Sequence, residues 1–374
     1  MSDSDVAVSE AQDLTEREAT MNVLVADAFQ ESGLELLRSI GCAVHQLPEI
    51  TPDELPDAVV KYQPDVLIVR STKVHEAVFQ ASDSLALVVR AGAGYDTIDV
   101  EAASSRGVFV ANCPGKNAIA VAELTWGLIL ACDRRIPDQT TDLRNGQWNK
   151  KEYAKAQGLY GRRLGIVGVG RIGRSVARRA KAFGMHVVGY SLHLTQERAD
   201  DLGIGYCSSL INLAKMSDVV SVHCEANSDT RNLIDKQFIQ SMKDGAYLIN
   251  TSRASVVDHD ALIDGIRTKN LRAGLDLFEN EPDGKTGEIS DPILNEPGVY
   301  GTHHIGASTD QAQNAIADEA VRIVREFMNS GQVPHCVNRA TSTTATSLLT
   351  VRHRNRPGVL AHVFYTLGQA HINV

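Results

Sequence analysis

Three polar residues stand just past three apolar runs of this 374-residue chain, and their types suit coupled proton and hydride chemistry. Arg253 closes Asn250-Thr251-Ser252-Arg253, Glu281 lies in Asp276-Leu277-Phe278-Glu279-Asn280-Glu281-Pro282, and His304 lies in Gly301-Thr302-His303-His304-Ile305-Gly306. Moving a hydride between a nicotinamide and a secondary alcohol requires a proton to move in the same step. Histidine suits that task because its unperturbed pKa lies near neutrality. A glutamate on the far imidazole nitrogen would fix the tautomer and favour the imidazolium. A guanidinium fork matches a substrate carboxylate and would polarise the adjacent carbonyl. Taken singly, each residue reads as a loop charge or a structural histidine; their shared position makes the set a candidate. His303 competes with His304, and strand alternation is expected to turn only one of these neighbours toward a cleft.

Such a set needs strands whose carboxyl ends converge, and the apolar runs supply them. Gly168-Val169-Gly170-Arg171-Ile172-Gly173 follows an apolar run at 163–167 and precedes a helix-like stretch at 175–183. In that context Gly168 permits a tight turn, Gly170 lets backbone approach a pyrophosphate, and Gly173 lets helix and strand pack closely. The helix N-terminus then offers free N–H groups to the anion, which predicts dinucleotide binding. Strands are expected at 164–167, 186–190, 219–222, 246–249, 273–278 and 299–302, a full six-stranded Rossmann sheet. An earlier series at 21–26, 42–47, 66–69, 85–90 and 108–111 predicts a separate parallel sheet. In open α/β sheets ligands bind outside the carboxyl ends of the strands, where Arg253, Glu281 and His304 all fall. One long helix is expected over 117–145 and another over 308–328, the second returning the chain to the first sheet. The predicted organisation is a first domain over 21–116 and 308–338, with a nucleotide domain inserted at 117–307. A linker at 339–346 and a short strand-and-helix segment at 347–374, too small for its own core, complete it.

Composition removes other classes. The net charge is −9, and the first twenty residues hold six acids against one base, so 1–20 is expected to be a disordered acidic tail. No dense basic tract points to nucleic acid. No run is long enough to span a bilayer, and the acidic start is unlike a signal peptide. Six cysteines (Cys42, Cys113, Cys132, Cys207, Cys224, Cys336) lack paired metal-ligand spacing. They read as reduced thiols of a cytoplasmic protein, and no metal site is expected.

Together these motifs resemble the D-2-hydroxyacid dehydrogenase family over residues 21–338, and within it the D-3-phosphoglycerate dehydrogenase branch. The resemblance implies a flavodoxin-like substrate domain, an inserted Rossmann domain, and Arg253, Glu281 and His304 as the catalytic set. It marks Arg70, Ser71 and Lys73 in Arg70-Ser71-Thr72-Lys73 as a substrate loop. It also marks Ala93 and Gly94, in Arg90-Ala91-Gly92-Ala93-Gly94-Tyr95-Asp96, as the loop whose amides hold the substrate carboxylate. Asn117 and Glu123 match a further block. Beside the glycine turn with Arg171 and Ile172, the implied cofactor contacts are Ser191, His223, Cys224, Thr251, Arg253, Asp276, His304 and Gly306. Asp276 would meet the nicotinamide carboxamide.

Two departures matter. His303 stands where the family usually has proline. Ser191 stands where an NAD site normally carries an acid for the ribose hydroxyls. NAD is the expected cofactor, and NADP stays open because Ser191 repels no 2′-phosphate and His193 and Arg198 lie near. The segment Asn355-Arg356-Pro357-Gly358-Val359-Leu360, with Ile372-Asn373-Val374, is similar to the opening strand and helix of an ACT domain. The expected function is oxidation of a small anionic 2-hydroxy acid, 3-phosphoglycerate first, by a homodimer or higher homo-oligomer. The alternatives are a hydroxypyruvate or glyoxylate reductase, and a non-enzymatic dinucleotide sensor similar to C-terminal-binding-protein corepressors. Formate dehydrogenase is disfavoured because that branch has glutamine at Glu281.

Overall fold

The computed structural model describes residues 21–282, 286–339, 358–370 and 372. Five strands form the first sheet: β1 (Asn22–Val25), β2 (Ala43–Gln46), β3 (Val66–Val69), β4 (Leu87–Arg90) and β5 (Phe109–Asn112). All pair in parallel, in the order β2-β1-β3-β4-β5, which is the flavodoxin-like order. A parallel sheet is covered on both faces, so its strands read as unbroken apolar runs, as Val66-Leu67-Ile68-Val69 does. Alternation then divides the core. Val23, Val25, Val66 and Ile68 pack with Leu34, Leu37 and Ile316, whereas Leu24, Leu67 and Val69 pack with Leu55, Val59 and Phe79.

The second sheet has strands β6 (Arg163–Val167), β7 (His186–Tyr190), β8 (Gly205–Tyr206), β9 (Val219–Val222), β10 (Tyr247–Asn250), β11 (Arg272–Leu275) and β12 (Val299–Gly301). Its order is β12-β11-β10-β9-β6-β7-β8, parallel throughout. Strand order reverses between β6 and β9, and the glycine turn leaves β6 at that switch point. This is the Rossmann arrangement with seven strands rather than the six expected. The added β8 is a two-residue, solvent-exposed edge strand, too short and too polar to leave a periodic signal.

The single helix expected over 117–145 is two, Ala118–Arg134 and Ile136–Arg144. Pro137 has no N–H to continue the ladder, and Arg135 takes the left-handed conformation (φ 52°) at the break. Asp138 (2.9 Å) and Glu152 (2.6 Å) hold its guanidinium.

The helix Asp310–Ser330 brings the chain back to the first sheet, burying Ile316, Ala320, Ile323 and Val324 in the core that holds Val23 and Leu37. Beyond it, Cys336 bridges Ala111, and Val337 N–H donates to Val110 O at 2.8 Å, which covers the exposed edge of β5. Of the ACT-like segment, the helix Val359–Gln369 is described, in a separate unit; the acidic tail, residues 340–346 of the linker and the strand expected at 348–353 lie outside the described residues. Among the described residues no helix is long and apolar enough to cross a membrane, and no cluster is placed to hold a metal ion. All six cysteines are free thiols.

Glu319 joins the chain passages between the sheets. Its buried carboxylate takes Lys116 at 3.0 Å, Arg322 at 2.6 Å and His335 at 3.0 Å. The bond from Arg322, with help from Lys116, holds its pKa down at about 2. Glu319→Gln removes the one buried carboxylate that these partly exposed groups share, and urea denaturation should show a loss of about 1 kcal/mol at neutral pH. Because the folded pKa lies below the ordinary 4.5, this contribution is complete above that value and fades as pH falls toward about 2. Wild type and variant should therefore converge in acid.

Candidate active site

The two sheets point their carboxyl ends at one cleft of about 2130 Å³. On the Rossmann side the glycine turn is built as its spacing requires. Gly168 has φ +93°, and a Cβ there would lie 2.6 Å from the carbonyl carbon of His223. A Cβ on Gly173 would lie 2.2 Å from Gly168 O, whereas one on Gly170 would meet nothing within 4 Å. Gly168 and Gly173 are thus needed by the fold, and Gly170 keeps a cleft-lining position open. Arg171 and Ile172 also line the cleft, and Arg171 Nη1 donates to Pro114 O on the first-sheet side.

The loop after β12 delivers the histidine. Asp276, at the end of β11 and 1% exposed, accepts from Thr302 Oγ1 (2.6 Å) and the Ile305 amide (2.9 Å) on Oδ1, and from the Gly306 amide (2.9 Å) on Oδ2. The His304 amide donates to Asp276 O at 2.9 Å. His304 sits in the left-handed region (φ 52°) beyond the end of β12. This local turn, rather than strand alternation, distinguishes it from His303. Its Nδ1 lies 2.8 Å from Glu281 Oε2, while Glu281 Oε1 accepts the Phe278 amide at 2.9 Å. Burial alone would raise the Glu281 pKa, but the bonds from His304 and Phe278 and the nearby Arg253 charge outweigh it and hold it below the ordinary range. With Nδ1 engaged, Nε2 is the imidazole nitrogen left for a reacting group.

Arg253 follows β10 on a turn shaped by buried Asn250, whose Oδ1 takes the Ser252 amide (3.0 Å) and whose Nδ2 donates to Arg253 O (2.9 Å). Its guanidinium pairs with Asp96 across the cleft, Nε to Oδ2 at 3.0 Å and Nη2 to Oδ1 at 2.9 Å. Thr251 Oγ1 meets Thr125 Oγ1 at 3.0 Å.

On the first-sheet side, the loop Arg70-Ser71-Thr72 wraps a carboxylate not foreseen from the sequence. Asp27 Oδ2 accepts the amides of Arg70 (2.7 Å), Ser71 (3.0 Å) and Thr72 (3.0 Å), and Oδ1 takes the Ser71 hydroxyl at 3.2 Å. The Ser71 groups therefore face Asp27; Arg70 and Lys73 line the cleft, where Arg70 Nη2 donates to Ser308 Oγ at 3.3 Å. The Ala93 and Gly94 amides have no acceptor among the described residues, and both residues line the cleft. Asp27 follows β1 as Arg253 follows β10, so the strand-end rule would have found it if applied to the first sheet. Asp96 closes the loop that begins at Arg90, but nothing in its spacing signals a partner 157 residues away.

His223, Cys224, Thr251 and Gly306 line the cleft, whereas Ser191 is outside its lining. Burial drives the His223 pKa down to about 3, so the ring is neutral; Nε2 meets Ser221 Oγ at 2.8 Å. His223 Nδ1, Asn117 Oδ1 and Arg90 Nε are buried without partners on residues that line the cleft. Buried polar atoms are nearly always bonded, so these fit a polar ligand lying along the cleft. The open backbone at Gly170 beside a helix N-terminus fits a dinucleotide pyrophosphate. Gly170→Ala should keep its thermal midpoint yet weaken dinucleotide binding at least about tenfold, since a methyl group would enter the anion's place. Gly173→Ala should instead lower the midpoint; calorimetry and thermal denaturation would separate the two.

Comparison with known proteins agrees with this geometry. Residues 126–306 match the model of the D-isomer specific 2-hydroxyacid dehydrogenase, NAD binding domain. A D-3-phosphoglycerate dehydrogenase of Methanocaldococcus jannaschii is 38% identical over 320 residues, or 85% of this chain and 59% of that protein. The chain thus spans under two thirds of that relative's length. A hydroxypyruvate reductase of Thermotoga maritima is 42% identical over 285 residues, covering 75% of this chain and 91% of the relative. The crystal structure of a Thermus thermophilus protein superposes with a TM-score of 0.75 at 32% identity, covering 85% of this chain and 100% of that one. With two parallel sheets, a glycine turn at the switch point and near full-length similarity to one such enzyme, the chain belongs to the D-isomer specific 2-hydroxyacid dehydrogenase family.

Proposed function

We propose that this protein interconverts small D-2-hydroxy acids and their 2-oxo forms with a nicotinamide dinucleotide, and that its acid is 3-phosphoglycerate, oxidised to 3-phosphohydroxypyruvate on the way to L-serine. The observation that carries the reading is the His304–Glu281 contact at 2.8 Å in the cleft that also holds Arg253. When bound, the dinucleotide supplies a hydride acceptor or donor at its nicotinamide ring. Gly170, Ile172, Thr251 and the cleft face of His223 hold it. His304 Nε2 takes the hydroxyl proton during oxidation and returns it during reduction, with Glu281 stabilising the imidazolium. Arg253 and the Ala93 and Gly94 amides hold the acid's carboxylate. Arg70 and Lys73, on the first-sheet rim, supply the positive charge that a phosphate at the far end of the acid requires. Three curated D-3-phosphoglycerate dehydrogenases at 36–38% identity support this choice.

A second reading has its own support. The Thermotoga maritima relative, of which 91% is covered, is a hydroxypyruvate reductase, so an unphosphorylated acid is the alternative. The working unit is proposed to be a cytoplasmic homodimer. Supporting it, Ile136, Leu143 and Trp148 are exposed along and beyond the helix Ile136–Arg144, Trp148 at 81%.

Nicotinamide absorbance kinetics test the reading in both directions, with NAD and NADP each paired with phosphorylated and unphosphorylated acids. Preference for the phosphorylated pair is the expected result; preference for hydroxypyruvate or glyoxylate would move the pathway and keep the chemistry. His304→Ala should lower kcat about 10²–10⁴-fold with dinucleotide affinity retained. No turnover by wild type despite tight dinucleotide binding would favour a sensor. Glu281→Gln should lower kcat about tenfold or more in both directions with dinucleotide affinity retained, because the imidazole loses the carboxylate that orients it. Sedimentation velocity should give a dimer, and a monomer would count against the assembly.

A further inference from the structure

Arg253 does not reach the cleft with all of its donors free. A guanidinium has five N–H groups, one on Nε and two on each terminal nitrogen. Asp96 takes the Nε–H at 3.0 Å and one Nη2–H at 2.9 Å, and Ser252 O takes one Nη1–H at 2.8 Å. What remains is one N–H on each terminal nitrogen. One N–H on each terminal nitrogen is the complement that a carboxylate's two oxygens can accept. From this donor pattern we infer that Asp96 is a positioning residue: it grips one edge of Arg253 so that the two remaining N–H groups are presented to the carboxylate of a bound 2-hydroxy acid. The inference rests on the function proposed above.

Two further features agree with this role. Gly94 leaves room for the guanidinium, since a Cβ there would lie 2.1 Å from Arg253 Nη2 and 2.9 Å from Asp96 Oδ1. The loop backbone and Asp96 thus shape one socket. Arg90 lies close enough for its charge to be felt by both partners; Asp96 attracts it and Arg253 repels it. Without Asp96, two like charges in a partly desolvated cleft would push the long Arg253 side chain away. The bond from Arg253 brings the Asp96 pKa down to about 2, so the carboxylate is present throughout the working pH range. A residue that merely filled the substrate's place would cover those two N–H groups; Asp96 takes two others. It also belongs to the first-sheet loop while Arg253 follows β10, so the aim of the fork depends on both walls of the cleft.

The test is steady-state kinetics of wild type, Asp96→Asn and Asp96→Glu on the acid that wild type uses best. Dinucleotide affinity by fluorescence and the thermal midpoint are recorded beside them. For Asp96→Asn the expected result is an acid KM raised about tenfold or more, as for a misaimed charge-assisted pair, with dinucleotide affinity within about twofold. Asp96→Glu keeps the charge but displaces it by a methylene, and should fold as wild type while its KM stays raised. In an Arg253→Lys background, which has no fork to aim, Asp96→Asn should add less than about twofold. A KM that falls in Asp96→Asn would make Asp96 a competitor of the substrate and overturn the inference. So would an unchanged KM, or an equal effect in the lysine background. If wild type turns over no acid, the functional proposal fails by itself. Calorimetric binding of oxalate with the dinucleotide present then reads the fork directly: weaker binding in Asp96→Asn upholds the role of Asp96, and equal binding overturns it.

Discussion

The position of His304 depends on one buried carboxylate. Asp276 ends β11 and reaches sideways to the neighbouring strand end, taking a hydroxyl and two amides on its side chain and the His304 amide on its carbonyl. A carboxylate so placed would be costly without donors, and here every oxygen is met. The left-handed backbone of His304, which costs roughly 1–2 kcal/mol for a residue with a Cβ, is tolerated because the same bonds over-determine the turn. Glu281 completes the arrangement. One oxygen is clipped to the backbone at Phe278 and the other to the imidazole, so neither ring orientation nor tautomer is left to chance.

The same device recurs around the cleft. Asp27 gathers the amides of the 70–72 loop, Asn250 folds the turn before Arg253, and Asp96 grips the guanidinium edge. In each case an acidic or amide side chain is directed into a loop or onto a cation. Arg70, Arg171 and Arg253 line the cleft beside the unbonded Ala93 and Gly94 amides. In a protein of net charge −9, carboxylates that line the cleft are thus engaged by loop amides or by cations, as Asp27, Asp276 and Asp96 are.

Legibility followed the range of the signal. Parallel strands buried on both faces announce themselves as apolar runs, so both sheets could be read along the chain, and the strand-end rule then brought Arg253, Glu281 and His304 to one rim. The glycine turn was legible because each glycine answers a different local clash. What was missed is non-local or too small. The strand β8 has two residues; the break at Arg135 is set by Pro137, whose effect was outweighed by the apolar pattern around it. The choice of His304 over His303 lies in one backbone angle fixed by Asp276, 28 residues earlier, and period-2 reasoning does not extend past the end of a strand. Asp96 and Asp27 act through pairings across 157 and 43 residues, which no periodicity records.

The contacts also divide the molecule into a part that must hold and a part that can yield. Where the chain passes between the sheets, the buried carboxylate of Glu319 meets the partly exposed Lys116, Arg322 and His335, and the helix Asp310–Ser330 packs an apolar face into the first core. Across the mouth of the cleft, the links are Arg253 to Asp96, Arg171 to Pro114 O, and Arg70 to Ser308 Oγ at 3.3 Å. These are polar bonds at partly exposed groups. Water can replace them at small net cost, whereas parting Glu319 from its partners would strand its carboxylate in the interior. A firm attachment at the passages and an exchangeable seam at the mouth suit a cleft that must admit ligands and then exclude water around them.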